Sequence, residues 1–532
     1  MSIDKDPFRL GVASGEPLAE SVVLWTRLAP EPFVSDSGLP GEPVPLLWEA
    51  ALDADFVDVV GTGEVSALPE EHHSVHVVAG GLAPATTYYY RFRTTGGTGE
   101  TGEWTSPVGR TRTAPPADTD PAGASVRFGV VTCQAYHHGY FTPLKHLAAE
   151  EDVDAVVCVG DWLYEYGVTA QGSERKDPDL KLPAVFNKEA VTLEDYRLRY
   201  ALYRTDPDLR AAHHAHPWIV TWDDHEVQNN YAGDVPADGT SSAKFRERRA
   251  AAYQAYYENM PLRPAQRPTG ADLPLYRRLA FGRLVQLDVL DGRQYRDDQS
   301  EGDGWKVPTA ETREPSRTLL GAEQESWLAA GWQASRAVWN VVAQGVVVCR
   351  RHNRLKGPYP VSMDAWDGYP AARDRFLAAF RTAHAEPEST TPGRPAEPAE
   401  HAAPAEPAAP AAPASAGNLV VLTGDVHVNY AMDIKEDFDD PASGNLGVEL
   451  VTTSVSSNGN GADKPGDWDV FTQANPHLRF YNARRGYLMV TLGQERMRAD
   501  FRTVSAVTTP GAPVRTAASF VSLNGEPGLI PA

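Results

Sequence analysis

Five short apolar runs in this chain are rich in β-branched residues and stop abruptly on side chains that bind metals or protons. The run at 126–132 ends at Cys133, that at 154–159 at Gly160-Asp161, and that at 218–222 at Asp223-Asp224-His225-Glu226. The run at 284–290 ends at Asp291-Gly292-Arg293, and that at 419–423 at Gly424-Asp425-Val426-His427. Continuous apolar character, rather than alternation, marks strands buried on both faces. The runs alternate with helix-length segments such as 243–259, which Pro261 follows as a stop. That alternation requires a layered α/β domain. In open α/β sheets ligands sit in the crevice outside the carboxyl ends of the strands, so all five strand ends are expected to line one site.

With 532 residues the chain is too long for one small core, and two domains are expected. Residues 7–113 carry short strands separated by Gly, Pro and Asp, the pattern of an all-β, immunoglobulin- or fibronectin-like sandwich. A Pro-rich linker at 114–125 leads into a catalytic domain at 126–503, and 504–532 reads as a carboxy-terminal tail. The Ala/Pro/Glu-rich stretch at 385–416 is expected to be a disordered surface insertion, because it has too little apolar surface to order itself.

A formal net charge of −22 excludes general nucleic-acid binding. It does not exclude an anionic substrate, because bound cations reverse the local field. No apolar run reaches the roughly 18 residues of a membrane span. The amino terminus has neither a basic nor an apolar signal region, so the chain is cytoplasmic unless a signal, such as a twin-arginine leader, was removed from an exported protein. A monomer is expected. Three cysteines make no disulfide framework. Cys158 and Cys349 lie within valine-rich runs and read as core, whereas Cys133 ends a strand.

The strand ends together supply Cys133, Asp161, Tyr164, Asp223 or Asp224, His225, Asn229 or Asn230, Asp425 and His427. Thiolate, phenolate, imidazole and carboxylate form a set of mixed hardness, and phenolate with carboxylate favours ferric iron. Zinc would accept the Cys, His and Asp members but has little use for a tyrosine. Asp161 is placed to bridge two ions. Asn229 and the acidic pair offer oxygen to a hard cation such as calcium or magnesium. Two cations over one crevice clamp an oxyanion and lower the pKa of water, which points to phosphate esters as substrate and a hydroxide or oxide nucleophile held on the metal.

The motifs resemble a known family. Gly160-Asp161-Trp162-Leu163-Tyr164 is similar to the GDxxY element of the metallophosphoesterase, purple acid phosphatase-like superfamily, and Gly424-Asp425-Val426-His427 to its GHxH, with Asp in place of the first His. Cys133, the stretch from Thr221 to Asn230, Asp291-Gly292-Arg293-Gln294-Tyr295-Arg296, Trp366-Asp367-Gly368-Tyr369-Pro370 and Asn482-Ala483-Arg484-Arg485-Gly486-Tyr487 resemble the PhoD-type alkaline phosphatases and phosphodiesterases. The resemblance implies an α/β/β/α catalytic domain behind a β-sandwich. It also implies Fe3+ held by Cys133, Asp161, Tyr164, Asp425 and His427, with one or two Ca2+ beside it reached by Asp224 and Asn229. The implied activity is hydrolysis of phosphomonoesters and diesters. A phosphodiesterase or phospholipase D-like enzyme with little monoesterase action, and a binding protein with a closed structural metal site, are the alternatives.

Several residues carry two readings. His225 is either the leaving-group acid or an orienting residue held by its acidic neighbours. Arg293 either grips a phosphate oxygen or is a buried arginine paired with Asp291 or Asp297. Adjacent residues on a strand point opposite ways, so one of Asp223 and Asp224 is structural. His137 and His138 read as loop residues near the pocket. His213, His214 and His216 precede a strand at its wrong end and read as surface. Trp366 and Tyr369 either wall the pocket or pack.

Overall fold

Val157 stands at the centre of the first sheet, opposite Val130 on one side and Ile219 on the other. These belong to Ser125–Val131, Ala155–Val159 and Pro217–Thr221, three parallel strands of a ten-stranded sheet. The computed structural model describes residues 3–39, 41–95, 103–169, 172–175, 181–384 and 418–532, so the insertion expected at 385–416 lies outside the described residues. Val285–Val289 and Leu419–Thr423 lie in a second, seven-stranded sheet, each parallel to Trp339–Ala343 between them.

The inner faces of the sheets meet in one core, with Phe128, Val157 and Ile219 from the first and Phe281, Leu287, Val341 and Leu422 from the second. Burying each such side chain contributes about 1.5–3 kcal/mol. The outer face of the first sheet is covered by helices that include Leu193–Arg204 and Ser242–Asn259. Ala322–Ala334 and Pro370–Ala383 cover the second. This is the expected α/β/β/α architecture. Because the strands of each sheet's centre run parallel, their carboxyl ends emerge on one side.

The amino-terminal sandwich is present. Val44–Ala51, Val59–Ala67, Thr87–Thr94 and Gly109–Arg112 form a four-stranded sheet. It packs on Ser21–Arg27 and Ser74–Gly80 through Leu24, Leu46, Tyr90 and Phe92. It is not self-contained. Val12–Leu18 pairs with Pro217–Thr221 in parallel, Ser14 opposite Pro217, so half of the sandwich extends the catalytic sheet. Pairing covers an edge that would otherwise stay open. Trp25 Nε1 also donates to the Glu258 carbonyl at 3.0 Å, and the Arg204 guanidinium lies 4.1 Å from the Trp25 ring.

Two other expectations are corrected. Residues 504–532 are not a loose tail, because Val514–Leu523 and Glu526–Pro531 form an edge of the ten-stranded sheet, where Phe520 and Leu529 join the inter-sheet core. Nor are the histidines before Pro217 all surface residues. His213 is buried and stacks on Trp218 at 3.9 Å, while His216 is buried and bonds the Leu147 carbonyl at 3.0 Å. Burying the His213 ring against Trp218 and pairing His216 with a carbonyl outweighed the polar appearance of the cluster. Among the described residues no helix is long and apolar enough to cross a membrane.

Candidate metal centre

The strand ends turn sharply. Cys133, Asp161, Asp425 and His427 all adopt positive φ, at 56°, 55°, 67° and 56°. Left-handed backbone is unfavourable for such residues, and it concentrates where function over-determines the geometry. The turns after two strands are tied together, since Cys133 N donates to the Gly160 carbonyl at 3.3 Å and Gln134 N to the Asp161 carbonyl at 3.0 Å. Two glycines permit the close packing. A Cβ on Gly160, itself at φ 110°, would lie 2.5 Å from the Asp223 Cβ, and one on Gly345 would lie 2.5 Å from Asp223 Oδ1.

Four chemically different donors converge on one point. Cys133 Sγ lies 3.2 Å and Tyr164 Oη 3.0 Å from Asp161 Oδ2, and Tyr164 Oη is 3.0 Å from His427 Nε2. Donor atoms of Cys133, Asp161 and His427 all lie within 4.8 Å of one another, and so do those of Asp161, Asp224 and His225. Asp161 belongs to both groups. Its Oδ1 is buried with no hydrogen-bond partner, although buried carboxylate oxygens are normally paired.

The electrostatics describe a crowded acid cluster. Burial, reinforced by Asp161, pushes the Cys133 thiol and the Tyr164 phenol well above their ordinary values. Burial likewise raises Asp161, with Asp224 and Asp223 adding to the effect against His225. Burial with Asp223 and Asp364 raises Asp425. His427 is pushed down to about 3 by burial and by Arg485, which leaves a neutral imidazole. Neutral imidazole is the form that ligates metals. Protons or multivalent cations are what such a cluster needs to be neutral, and the mixed sulfur, oxygen and nitrogen donors fit a cation.

The structure separates Asp223 from Asp224. Asp223 Oδ1 accepts from Arg293 Nε at 2.7 Å, which commits that oxygen to an ion pair. Asp224 is the member grouped with Asp161 and His225, and its Oδ2 accepts the Asn230 N–H at 2.6 Å. The Asn230 side chain turns away to Asp303, at 2.7 Å. Asn229 N is fixed on Glu165 Oε1 at 2.8 Å.

His225 stacks on the Tyr164 ring at 4.0 Å and its Nδ1 meets Glu165 Oε2 at 2.7 Å. Burial opposes its charge, but Asp224, Glu165 and Asp161 outweigh burial and raise its pKa well above the ordinary imidazole value.

Arg293 differs from the phosphate-gripping expectation. The residue is fully buried, and its Nη1 and Nη2 bind both oxygens of Asp364 at 2.7 Å while Nε binds Asp223. Its partners are also not the expected Asp291 or Asp297 side chains, apart from the Arg293 N–H on Asp291 Oδ1 at 2.9 Å. A bidentate carboxylate outcompetes an approach to solvent. Trp366 and Tyr369 are buried and pack in the core rather than walling the site. His138 Nδ1 accepts the Asn458 N–H at 3.1 Å, a loop role.

Sequence reasoning missed Glu165, Asp364, Ser457 and Arg485 as members of the site. Ser457 Oγ donates to Tyr164 Oη at 2.9 Å. Arg485, inside the Asn482–Tyr487 motif, has its pKa pushed down to about 10 by burial, against which Cys133 and Tyr164 act. Glu165 directly follows Tyr164, a signal that was readable.

Comparisons with known proteins agree with this geometry. The sequence model of the PhoD-like phosphatase matches residues 128–388 and 405–501, and that of the PhoD-like phosphatase N-terminal domain matches 1–115. Alkaline phosphatase D of Bacillus subtilis (strain 168) is 45% identical over 526 residues, spanning 98% of this chain and 82% of the relative. The solved structure of PhoD aligns at a TM-score of 0.88 and 44% identity, over 100% of this chain and 93% of that one. A purple acid phosphatase from yellow lupin (Lupinus luteus) seeds shares the fold at a TM-score of 0.50 and 10% identity, over 96% of this chain and 73% of that one. The motifs, the two-sheet architecture and these matches lead to one conclusion: the chain belongs to the PhoD-like phosphatase family and is a phosphoesterase.

Proposed function

We propose that the chain hydrolyses phosphomonoesters and phosphodiesters at a centre of Fe3+ with one or two Ca2+. In this reading Cys133, Asp161, Tyr164, Asp425 and His427 would hold the ferric ion, Asp161 would be shared between the two groups of donors, and Asp224 and Asn229 would reach calcium. The observation that carries it is the meeting of a thiol and a phenol on one oxygen of Asp161, at 3.2 and 3.0 Å, with the His427 imidazole against the phenol. Phenolate and carboxylate together suit a ferric ion, and carboxylate and amide oxygens suit calcium. Bound cations would supply Lewis acidity that activates water and offsets charge on the phosphoryl oxygens.

The remaining work falls to the chain. Glu165 holds His225 through Nδ1, which orients the imidazole to give a proton to the departing alkoxide. Arg293 holds Asp223 and Asp364 in place and acts as a positioning residue. Ser457 aligns the Tyr164 phenol.

Metal analysis by mass spectrometry, combined with a chromogenic phosphate ester, tests the proposal. Iron and calcium should accompany turnover, with a visible phenolate-to-iron band that bleaches on reduction. Cys133→Ala and Asp161→Ala should each abolish turnover and the band. Wild-type rates in both variants, or a colourless protein holding only zinc, would defeat it.

A further inference from the structure

Resting on the phosphoesterase reading, we propose that the ribbon beside the metal centre is a subsite for the leaving group of the ester. The occupant it fits is an alcohol that carries a flat ring and a second negative charge, the chemistry of a nucleotide.

The ribbon consists of Trp305–Lys306 paired with Val361–Ser362, Trp305 opposite Ser362. Both of its ends are anchored to the centre. Asp303 accepts from the Asn230 side chain at 2.7 Å, and Asn230 N donates to Asp224. On the other strand, Met363 N donates to the Gly304 carbonyl at 3.0 Å, and the next residue, Asp364, holds Arg293. The ribbon is therefore two hydrogen bonds from a candidate metal ligand. It cannot shift without disturbing the carboxylate cluster.

Trp305 and Tyr359 are each 41% exposed, and Leu355 is 50% exposed. Single exposed apolar residues need no explanation, but aromatic groups held in place at a site's margin do. The Arg351 guanidinium lies 5.7 Å from the Trp305 ring, and the His352 ring lies 4.3 Å from that of Tyr359. Each aromatic residue thus has a basic neighbour against its ring and stays partly open to solvent.

The segment leading into Val361–Ser362 carries Arg350-Arg351-His352-Asn353-Arg354-Leu355-Lys356, a basic run in a chain of net charge −22. Arg350 is consumed by Asp439. Lys306, Arg354 and Lys356 are exposed, and no ion pair of the described residues engages them. Cations on the rim of an acidic centre attract an anion and steer its far end outward. The centre takes the reacting phosphoryl group, so the rim is left for the other end of the substrate. A ring lying on Trp305 adds stacking that is indifferent to ring identity.

The test measures phosphate release from glycerol 3-phosphate (neither feature), adenosine 5′-monophosphate (ring only) and adenosine 3′,5′-bisphosphate (ring and charge). The metal-loaded wild type is compared with Arg354→Ala/Lys356→Ala and Trp305→Ala. Because the three changes are on the surface, folding should be intact, as circular dichroism would verify. The double variant should raise KM for the bisphosphate about tenfold, with kcat little changed and glycerol 3-phosphate unaffected. That difference should vanish near 0.5 M salt, where charges are screened beyond about 4 Å. Trp305→Ala should raise KM for both nucleotides alone. Equal changes across the three esters, or none, would overturn the subsite while leaving the phosphoesterase standing. A wild type that turns over none of the three would overturn the monoesterase part of the proposed function and the subsite with it.

Discussion

The phenol oxygen of Tyr203 accepts the backbone N–H of Tyr164 at 3.1 Å. The same oxygen accepts the Tyr136 N–H, also at 3.1 Å. One buried atom at the end of the Leu193–Arg204 helix thus joins the loop after Cys133 to the loop that carries Asp161 and Tyr164. One turn earlier, Arg199 Nη1 donates to the Tyr164 carbonyl at 3.0 Å, so the helix grips the Tyr164 backbone from both sides. Tyr203→Phe keeps the ring and strands two buried donors, at a cost of about 1–3 kcal/mol for each. Stability in denaturant should fall accordingly, and kcat should fall with little change in KM, because the donors around the metal lose their mutual geometry. A stability loss with unchanged kcat would show the contact to be structural only.

Asp161 is expected to oppose folding in the metal-free protein. It is fully buried, its Oδ1 has no partner, and Asp223 and Asp224 repel its charge. Chelation should abolish activity and lower Tm, because the cations bind only the folded chain. Asp161→Asn should also abolish turnover, yet raise the stability of the chelated protein by about 1–2 kcal/mol, the usual trade of stability for a strained site. Calorimetry of both proteins after chelation distinguishes this from simple damage, which would lower Tm.

Arg293 gives a prediction that separates its two sequence readings. Its guanidinium satisfies Asp223 and Asp364, and removing one partner of a buried pair leaves an uncompensated charge. Arg293→Met should therefore destabilise the fold by about 3–5 kcal/mol. Denaturant unfolding measures this directly. A phosphate-gripping arginine would instead leave stability nearly intact and raise KM.

The strand ends were legible because burial on both faces leaves a continuous apolar signature, and the residue that ends it must face the crevice. Trp339–Ala343 escaped notice because it ends at Gln344-Gly345, which offers no ligand, although Gly345 makes room for Asp223. Asp364 escaped because it lies in a loop before Trp366, where no periodicity predicts a contact 71 residues distant with Arg293. The edge formed by Val514–Leu523 and Glu526–Pro531 alternates weakly in burial, as an edge strand does, and read as tail. What the sequence could not express was pairing between distant segments, and the joining of the sandwich to the catalytic sheet through Val12–Leu18 is of that kind.

His216 makes stability fall in mild acid. It is buried, its Nε2 meets the Leu147 carbonyl at 3.0 Å, and its Nδ1 has no partner. Burial pushes its pKa down to about 4, from 6.5, so the folded chain keeps the ring neutral where the unfolded chain protonates it. Between those values the unfolded state binds the extra proton, so the stabilisation is complete above pH 6.5 and declines as the pH falls toward 4. At pH 5 the loss relative to pH 7.5 amounts to about 2 kcal/mol from this residue. His216→Gln retains an N–H for the Leu147 carbonyl and cannot be protonated in this range. Denaturant midpoints at the two pH values should show a gap about 2 kcal/mol smaller in the variant than in the wild type, and equal gaps would assign the acid sensitivity to other groups.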